Sequence, residues 1–149
     1  MRVIVQRVKN ATCKVDGELT GKCDNGFLLL VGFTLNDCEK EIELLAKKVA
    51  GLRIFNDQEG KMNKSLNDVG GTILSISQFT LYADSKHGNR PSFTNAMPGA
   101  KAKELYDKFN EILIDKYNIH TEMGIFGADM KLEFLNDGPV TIILDSKEL

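Results

Sequence analysis

The chain has 149 residues, with a hydrophobic fraction of 42% and a charged fraction of 27%, the balance of one ordinary globular domain over residues 1–149. Its formal net charge of −2 argues against a strongly basic nucleic-acid binder but leaves room for local basic patches. Three irregularly spaced cysteines, Cys13, Cys23 and Cys38, suit neither a disulfide framework nor a paired-cysteine zinc site.

The opening MRVIVQRV is rich in β-branched residues and reads as a strand over Arg2–Val8. Its apolar run is too brief for a secretory leader, and the longest apolar run, Phe27–Phe33, is too short to cross a bilayer. A cytoplasmic protein without membrane contact is expected. Asp16-Gly17, between Thr12–Val15 and Glu18–Cys23, predicts a tight hairpin, and Asn25-Gly26 predicts a second turn. Phe27–Phe33 then predicts a strand that is apolar on both faces.

A first helix follows, capped by Asn36 or Asp37, with Glu39, Glu41 and Glu43 at its positive end. Cys38, Ile42, Leu45, Val49 and Leu52 recur at three- or four-residue steps and form its apolar stripe, and Gly51 can end it. Leu52–Phe55 predicts a short strand, Asn56–Gly60 a turn, and Thr72–Tyr82 a strand after Gly70-Gly71. Ala83–Met97 is a long loop. Pro98 opens a second helix, whose stripe is Ala102, Leu105, Tyr106, Phe109, Ile112 and Leu113. Strands over Lys131–Leu135 and Val140–Leu144 close the chain around Asn136-Asp137-Gly138-Pro139. The expected fold is α+β: a mostly antiparallel curved sheet, or partial β-barrel, with two amphipathic helices packed outside.

The familiar hydrolytic devices are missing. There is no G-x-S-x-G elbow, no H-E-x-x-H and no phosphate-binding Walker loop, and neither His87 nor His120 lies near a nucleophile motif. Two segments are locally peculiar. In Ser75-Ile76-Ser77-Gln78-Phe79-Thr80-Leu81-Tyr82, polar residues interrupt an apolar strand and need partners wherever they are buried. They suit either a strand end bonded to neighbouring backbone or the wall of a site. In Asn136-Asp137-Gly138-Pro139-Val140-Thr141, a hairpin dipeptide runs into a proline, which is confined to strand starts and edges. A turn without chemistry and a functional loop both fit. Basic residues cluster at Arg2, Arg7, Lys9 and Lys14, and again at Lys86, His87, Arg90, Lys101 and Lys103.

Ser77–Asp84 (SQFTLYAD) and Asn136–Thr141 (NDGPVT) resemble the two signature motifs of the D-aminoacyl-tRNA deacylases. The likeness extends to Leu52–Gly71, Asn89–Phe93 (NRPSF), Gly124–Met130 (GIFGADM) and the opening MRVIVQRV, so it covers nearly the whole chain. It implies hydrolysis of the ester joining a D-amino acid to tRNA, with no cofactor or metal. It implies a homodimer with active sites at the interface, each receiving the cis Gly138-Pro139 loop of the other subunit. Ser77, Gln78, Phe79 and Thr80 would form the catalytic wall and its oxyanion contacts. Phe126 and Met130 would lie near the terminal adenosine, and Arg7 would hold the Gly-Pro loop. Lys86, His87 and Arg90 are candidates for the acceptor stem, by charge and loop position.

Such a site would exclude L side chains rather than grip D ones, so glycyl-tRNA should also be accepted. The nucleophile is either the Thr80 hydroxyl or a water assisted by the tRNA 2′-hydroxyl. With no base beside Thr80 in the sequence, the second route is the expectation. The rival readings are a deacylase for a misacylated L-amino acid, a tRNA-binding module without catalysis, and a small interaction domain.

Overall fold

The computed structural model describes all residues 1–149. Its elements run β1 (Arg2–Val15), β2 (Glu18–Gly32), α1 (Glu39–Gly51), β3 (Phe55–Asn56), β4 (Met62–Lys64), β5 (Thr72–Ser77), α2 (Gly99–Asp115), β6 (Thr121–Met123) and β7 (Lys131–Asp145). One five-stranded sheet has the order β6-β5-β2-β1-β7, and β3 and β4 form a small ribbon. The long β1–β2 and β1–β7 ladders are antiparallel, and the shorter β2–β5 and β5–β6 ladders are parallel. The fold is therefore the expected α+β, as a curved sheet left open at β6 and β7.

Asp16 and Gly17 close the β1–β2 hairpin as expected, both at positive φ, which matches the twist of the flanking strands. Asn25-Gly26 is not a turn. Strand β2 runs through it, and Gly26, at φ 156°, is paired with Val8 on one side and Thr72 on the other.

What changes there is the face. In β1, Val3 and Val5 join the larger apolar cluster while Val8, Ala11 and Cys13 join the smaller one. Strict alternation would keep Val8 and Ala11 on opposite faces. Asn10, at φ 52°, lies between them and resets the alternation. In β2 the same reset falls between Cys23 and Leu28, both of the smaller cluster, and Gly26 lies between them. The hairpin thus bends as one piece and presents apolar side chains to both sides.

The larger cluster lies between the sheet and the two helices, with Phe27, Leu29, Ile42, Leu45, Phe109 and Leu113 fully buried. Both helices turn the expected stripe to the core, although Cys38 is exposed and Leu52, Leu105 and Ile112 are only half-buried. Lys116–Glu43, at 2.7 Å, and Lys108–Glu39 join α1 to α2 at the surface.

The other departures have identifiable causes. Helix α1 is capped at Cys38, whose N–H donates to Glu41 at 2.8 Å. Asp37, expected as a cap, is buried and accepts from the Met1 amino group and the Thr34 N–H, both at 2.7 Å. Strand β3 is shorter than the expected Leu52–Phe55, and β4 and β6 are too short to show a period. Strand β5 stops at Ser77, and Phe79–Tyr82 turns into a 3-10 segment. The two expected C-terminal strands are one strand, β7, carrying a wide bulge: Gln6 faces Thr141 and Val8 faces Asn136, so Asp137–Val140 all stand opposite Arg7.

Candidate active site

The polar run that breaks the apolar pattern of β5 sits where that strand ends, beside the end of β2. Val31 pairs with Ser77, and the Gln78 N–H donates to the Val31 carbonyl at 2.7 Å. Next to this edge lies a cavity of about 280 Å³, walled by Val31–Phe33, Ile76–Phe79, Met97, Ala102, Phe126–Met130 and Leu132. Ser77, Gln78, Phe79, Phe126 and Met130 are thus brought together from two distant stretches of sequence. Met97, Ala102 and Leu132 also line the cavity, and nothing in their sequence surroundings marks them apart from core residues.

The wall is held by backbone contacts. Arg2 Nη1 donates to the Leu81 carbonyl at 2.8 Å while its Nε and Nη2 bind Asp145, which ties the 3-10 segment to the sheet. On the other side, Tyr106 Oη donates to the Ser75 carbonyl at 2.8 Å, and its ring packs on Phe126 with centroids 5.8 Å apart. Burial pushes the Tyr106 hydroxyl up to about 12, so it stays a protonated donor at neutral pH. Tyr106→Phe removes one donor, but the Ser75 carbonyl keeps the Gly124 N–H at 3.1 Å. The expected loss is therefore about 1 kcal/mol, measured by denaturant unfolding.

Thr80 does not line the cavity. Its hydroxyl oxygen accepts from Gln78 Nε2 at 2.5 Å, and a carboxamide cannot take a proton at neutral pH. What the wall does offer is main chain. Phe79 and Thr80 begin the 3-10 segment, where N–H groups have no partner within the turn. Such donors can stabilise an oxyanion without any side-chain base.

Gly138 and Pro139 lie far from this wall in the same chain. Gly138 stands opposite Arg7, at the level of Phe27 and Ile73, four residues along β5 from Ser77 and three strands across. With ~3.3 Å per residue and ~4.8 Å between strands, the separation is on the order of 20 Å. The Gly138-Pro139 peptide is cis. Arg7, buried beneath the bulge, donates from Nε to the Asp137 carbonyl at 3.0 Å and from Nη1 to the Ile54 carbonyl at 2.7 Å. Lys86 and Arg90 lie in the exposed 85–95 part of the loop, away from the cavity lining.

The cleft thus combines apolar walls with main-chain donors at Phe79 and Thr80 and the side chains of Ser77, Gln78 and Asp129. The chain matches the family described as D-Tyr-tRNA(Tyr) deacylase over residues 4–145, and it belongs to that family. Among solved structures it is similar to one titled c-Myc DNA Unwinding Element Binding Protein, at 41% identity and TM-score 0.92, covering 97% of this chain and 98% of that one. A probable eukaryotic D-amino acid tRNA deacylase, at 16% identity, shares the fold with TM-score 0.82, covering 96% of this chain and 97% of that one. The activity that goes with the family is ester hydrolysis of D-aminoacyl-tRNA. No helix is long and apolar enough to cross a membrane.

Proposed function

We propose that this chain removes D-amino acids from tRNA in the cytoplasm as a homodimer, each cavity completed by the Gly138-Pro139 loop of a second copy. The observation that carries this reading is the arrangement of the two motifs. Ser77, Gln78 and Phe79 wall a cavity that also holds Phe126 and Met130, whereas Gly138-Pro139 is too distant to reach it within one chain. The exposed outer edge of β7 supports the second copy. It is fifteen residues long and carries Leu135 and Ile143 at 58% and 64% exposure, an edge that monomeric proteins usually blunt.

In this reading the terminal adenosine lies against Phe126 and Met130, and the main-chain N–H groups at Phe79 and Thr80 hold the oxyanion. The partner's loop stands at the α-carbon and leaves no room for an L side chain. Glycine offers nothing to exclude, so glycyl-tRNA, including tRNA-Ala mischarged with glycine, is also a substrate. Attack is by water with help from the tRNA 2′-hydroxyl, because the Thr80 hydroxyl is paired with the Gln78 carboxamide and not with a base. Thr80→Ala should therefore lower kcat by less than about tenfold, in line with loss of one hydrogen bond. A fall of several thousandfold in single-turnover assays would make Thr80 the nucleophile.

The test is side by side: D-tyrosyl-tRNA and L-tyrosyl-tRNA with the purified protein, following free tyrosine. Rapid loss of the D ester alone supports the reading. Equal loss of both keeps a deacylase but removes the loop as chiral filter, and cleavage of L esters alone favours the misacylated L-amino acid rival. A second reading, nucleic-acid binding without cleavage, draws on the exposed basic loop and on the 41% identical relative, which is named for DNA binding. Binding of tRNA with both esters intact would favour it.

A further inference from the structure

Beside the cavity, the 83–97 loop has an order of its own. Asp84 and Ser92 exchange two backbone hydrogen bonds, each 2.8 Å, so that Ser85–Pro91 project as a closed tip. Every residue from Ser85 to Asn95 is exposed. The tip carries Lys86, His87 and Arg90 without an acid, and neither Lys86 nor Arg90 has a carboxylate partner. At its base stands Phe93, whose ring meets Phe79 edge-on with centroids 5.1 Å apart. Phe79 is itself a cavity wall residue, and the two rings are 57% and 39% exposed. Two aromatic rings left in water at the rim of a site, next to unpaired cations, are what a single-stranded nucleic acid needs: a face for a base and charges for its phosphates.

We propose that Phe93 is a stacking platform for the tRNA nucleotide preceding the terminal adenosine, with Lys86 and Arg90 contacting the phosphates of the same single strand. The proposal rests on the tRNA reading above and adds a second subsite to it. Phe79 spans the two. One side of it walls the cavity that takes the aminoacylated adenosine, and its edge orients Phe93 outside. The strand leaving the cavity then passes over Phe93 toward the basic tip. Stacking is tolerant of base identity, so this subsite measures the presence of an RNA strand rather than its sequence.

The experiment uses two non-hydrolysable probes with an amide in place of the ester: 3′-(D-tyrosylamino)adenosine, and the same group on a cytidylyl-cytidylyl-adenosine trinucleotide. Dissociation constants are measured by calorimetry on the full-length protein. The wild type should bind the trinucleotide more than about tenfold tighter than the mononucleotide, the scale of one base–aromatic stack. In Phe93→Ala that gain should shrink below about threefold, and Phe93→Tyr should keep it. Lys86→Ala with Arg90→Ala should lower the salt dependence of trinucleotide binding only. An undiminished gain in Phe93→Ala, or equal affinity of the two probes for the wild type, overturns the proposal. So does a shift of Phe93→Ala toward monomer in sedimentation with the gain intact, which would assign the aromatic pair to a subunit contact. If neither probe binds the folded wild type, the deacylase reading itself fails first, and this subsite with it.

Discussion

Arg7→Ala should cost the protein about 3 kcal/mol of stability and lower kcat/KM for D-tyrosyl-tRNA by about a hundredfold or more. Arg7 is 9% exposed, and its guanidinium is the only group opposite the four-residue bulge of β7. It binds the carbonyls of Asp137 and Ile54 and lies 3.5 Å from an Asp137 carboxylate oxygen. A charged donor to a buried carbonyl contributes about 1.5–3 kcal/mol, and the carbonyls it leaves behind would be short of partners. For a chain of this size the melting temperature should fall by roughly 6–12 °C. The activity loss has a different origin. Arg7 sets where the Gly138-Pro139 main chain stands, and a misplacement of about 1 Å in a positioning element is worth about a hundredfold in rate. Arg7→Lys keeps the charge but cannot span both carbonyls with a fixed fork, so it should recover stability better than activity. Paired melting curves and D- and L-tyrosyl-tRNA kinetics check this. Unchanged chiral selectivity in Arg7→Ala would separate the bulge from the reaction.

Gly26→Ala should be more damaging to the fold than any substitution in the cavity, with a loss above about 4 kcal/mol or no soluble protein. A Cβ at this position would lie 1.9 Å from the Thr72 carbonyl oxygen and 2.8 Å from its nitrogen. Both are backbone atoms of the neighbouring strand and cannot rotate away, and the φ of 156° disfavours a side chain in any case. Relief would require parting β2 from β5, the ladder that delivers Ser77 to the cavity. Gly51→Ala is the control. It meets nothing within 4 Å at the exposed end of α1, and it should stabilise by up to about 1 kcal/mol through helix propensity. Chemical denaturation of the two variants against wild type gives the comparison, and a Gly26→Ala protein as stable as Gly51→Ala would refute the close approach.

These glycines show how far local sequence can be read. Asp16-Gly17 and Asn25-Gly26 carry the same message, tolerance of positive φ. In the first pair nothing opposes the turn, and a hairpin forms. In the second the tolerance is used inside a continuous strand, because β5 arrives alongside from forty-six residues away and the Gly26–Thr72 approach needs a residue without Cβ. Asp37 had the chemistry of a helix cap, but the buried Met1 amino group claimed its carboxylate, a partner thirty-six positions distant. The two C-terminal strands merged for a similar reason. Proline and glycine argue for a break, but β1 pairs on both sides of it and Arg7 fills the gap.

The sequence by itself determined what periodicity and short motifs can encode. These are the α+β class, the both-faces-apolar strand at Phe27–Phe33, the apolar stripes of two helices, and two peculiar motifs whose resemblance names the family. Such features depend on neighbours within a few residues, so they survive without knowledge of the fold. Only the tertiary structure decided that Ser77–Phe79, Phe126 and Met130 share one cavity while Gly138-Pro139 lies on the order of 20 Å away. The physical reason is that strand order and register are set by pairing across the sheet. A β-strand carries its side chains wherever its neighbour's hydrogen bonds put them, and nothing in either motif alone specifies that neighbour.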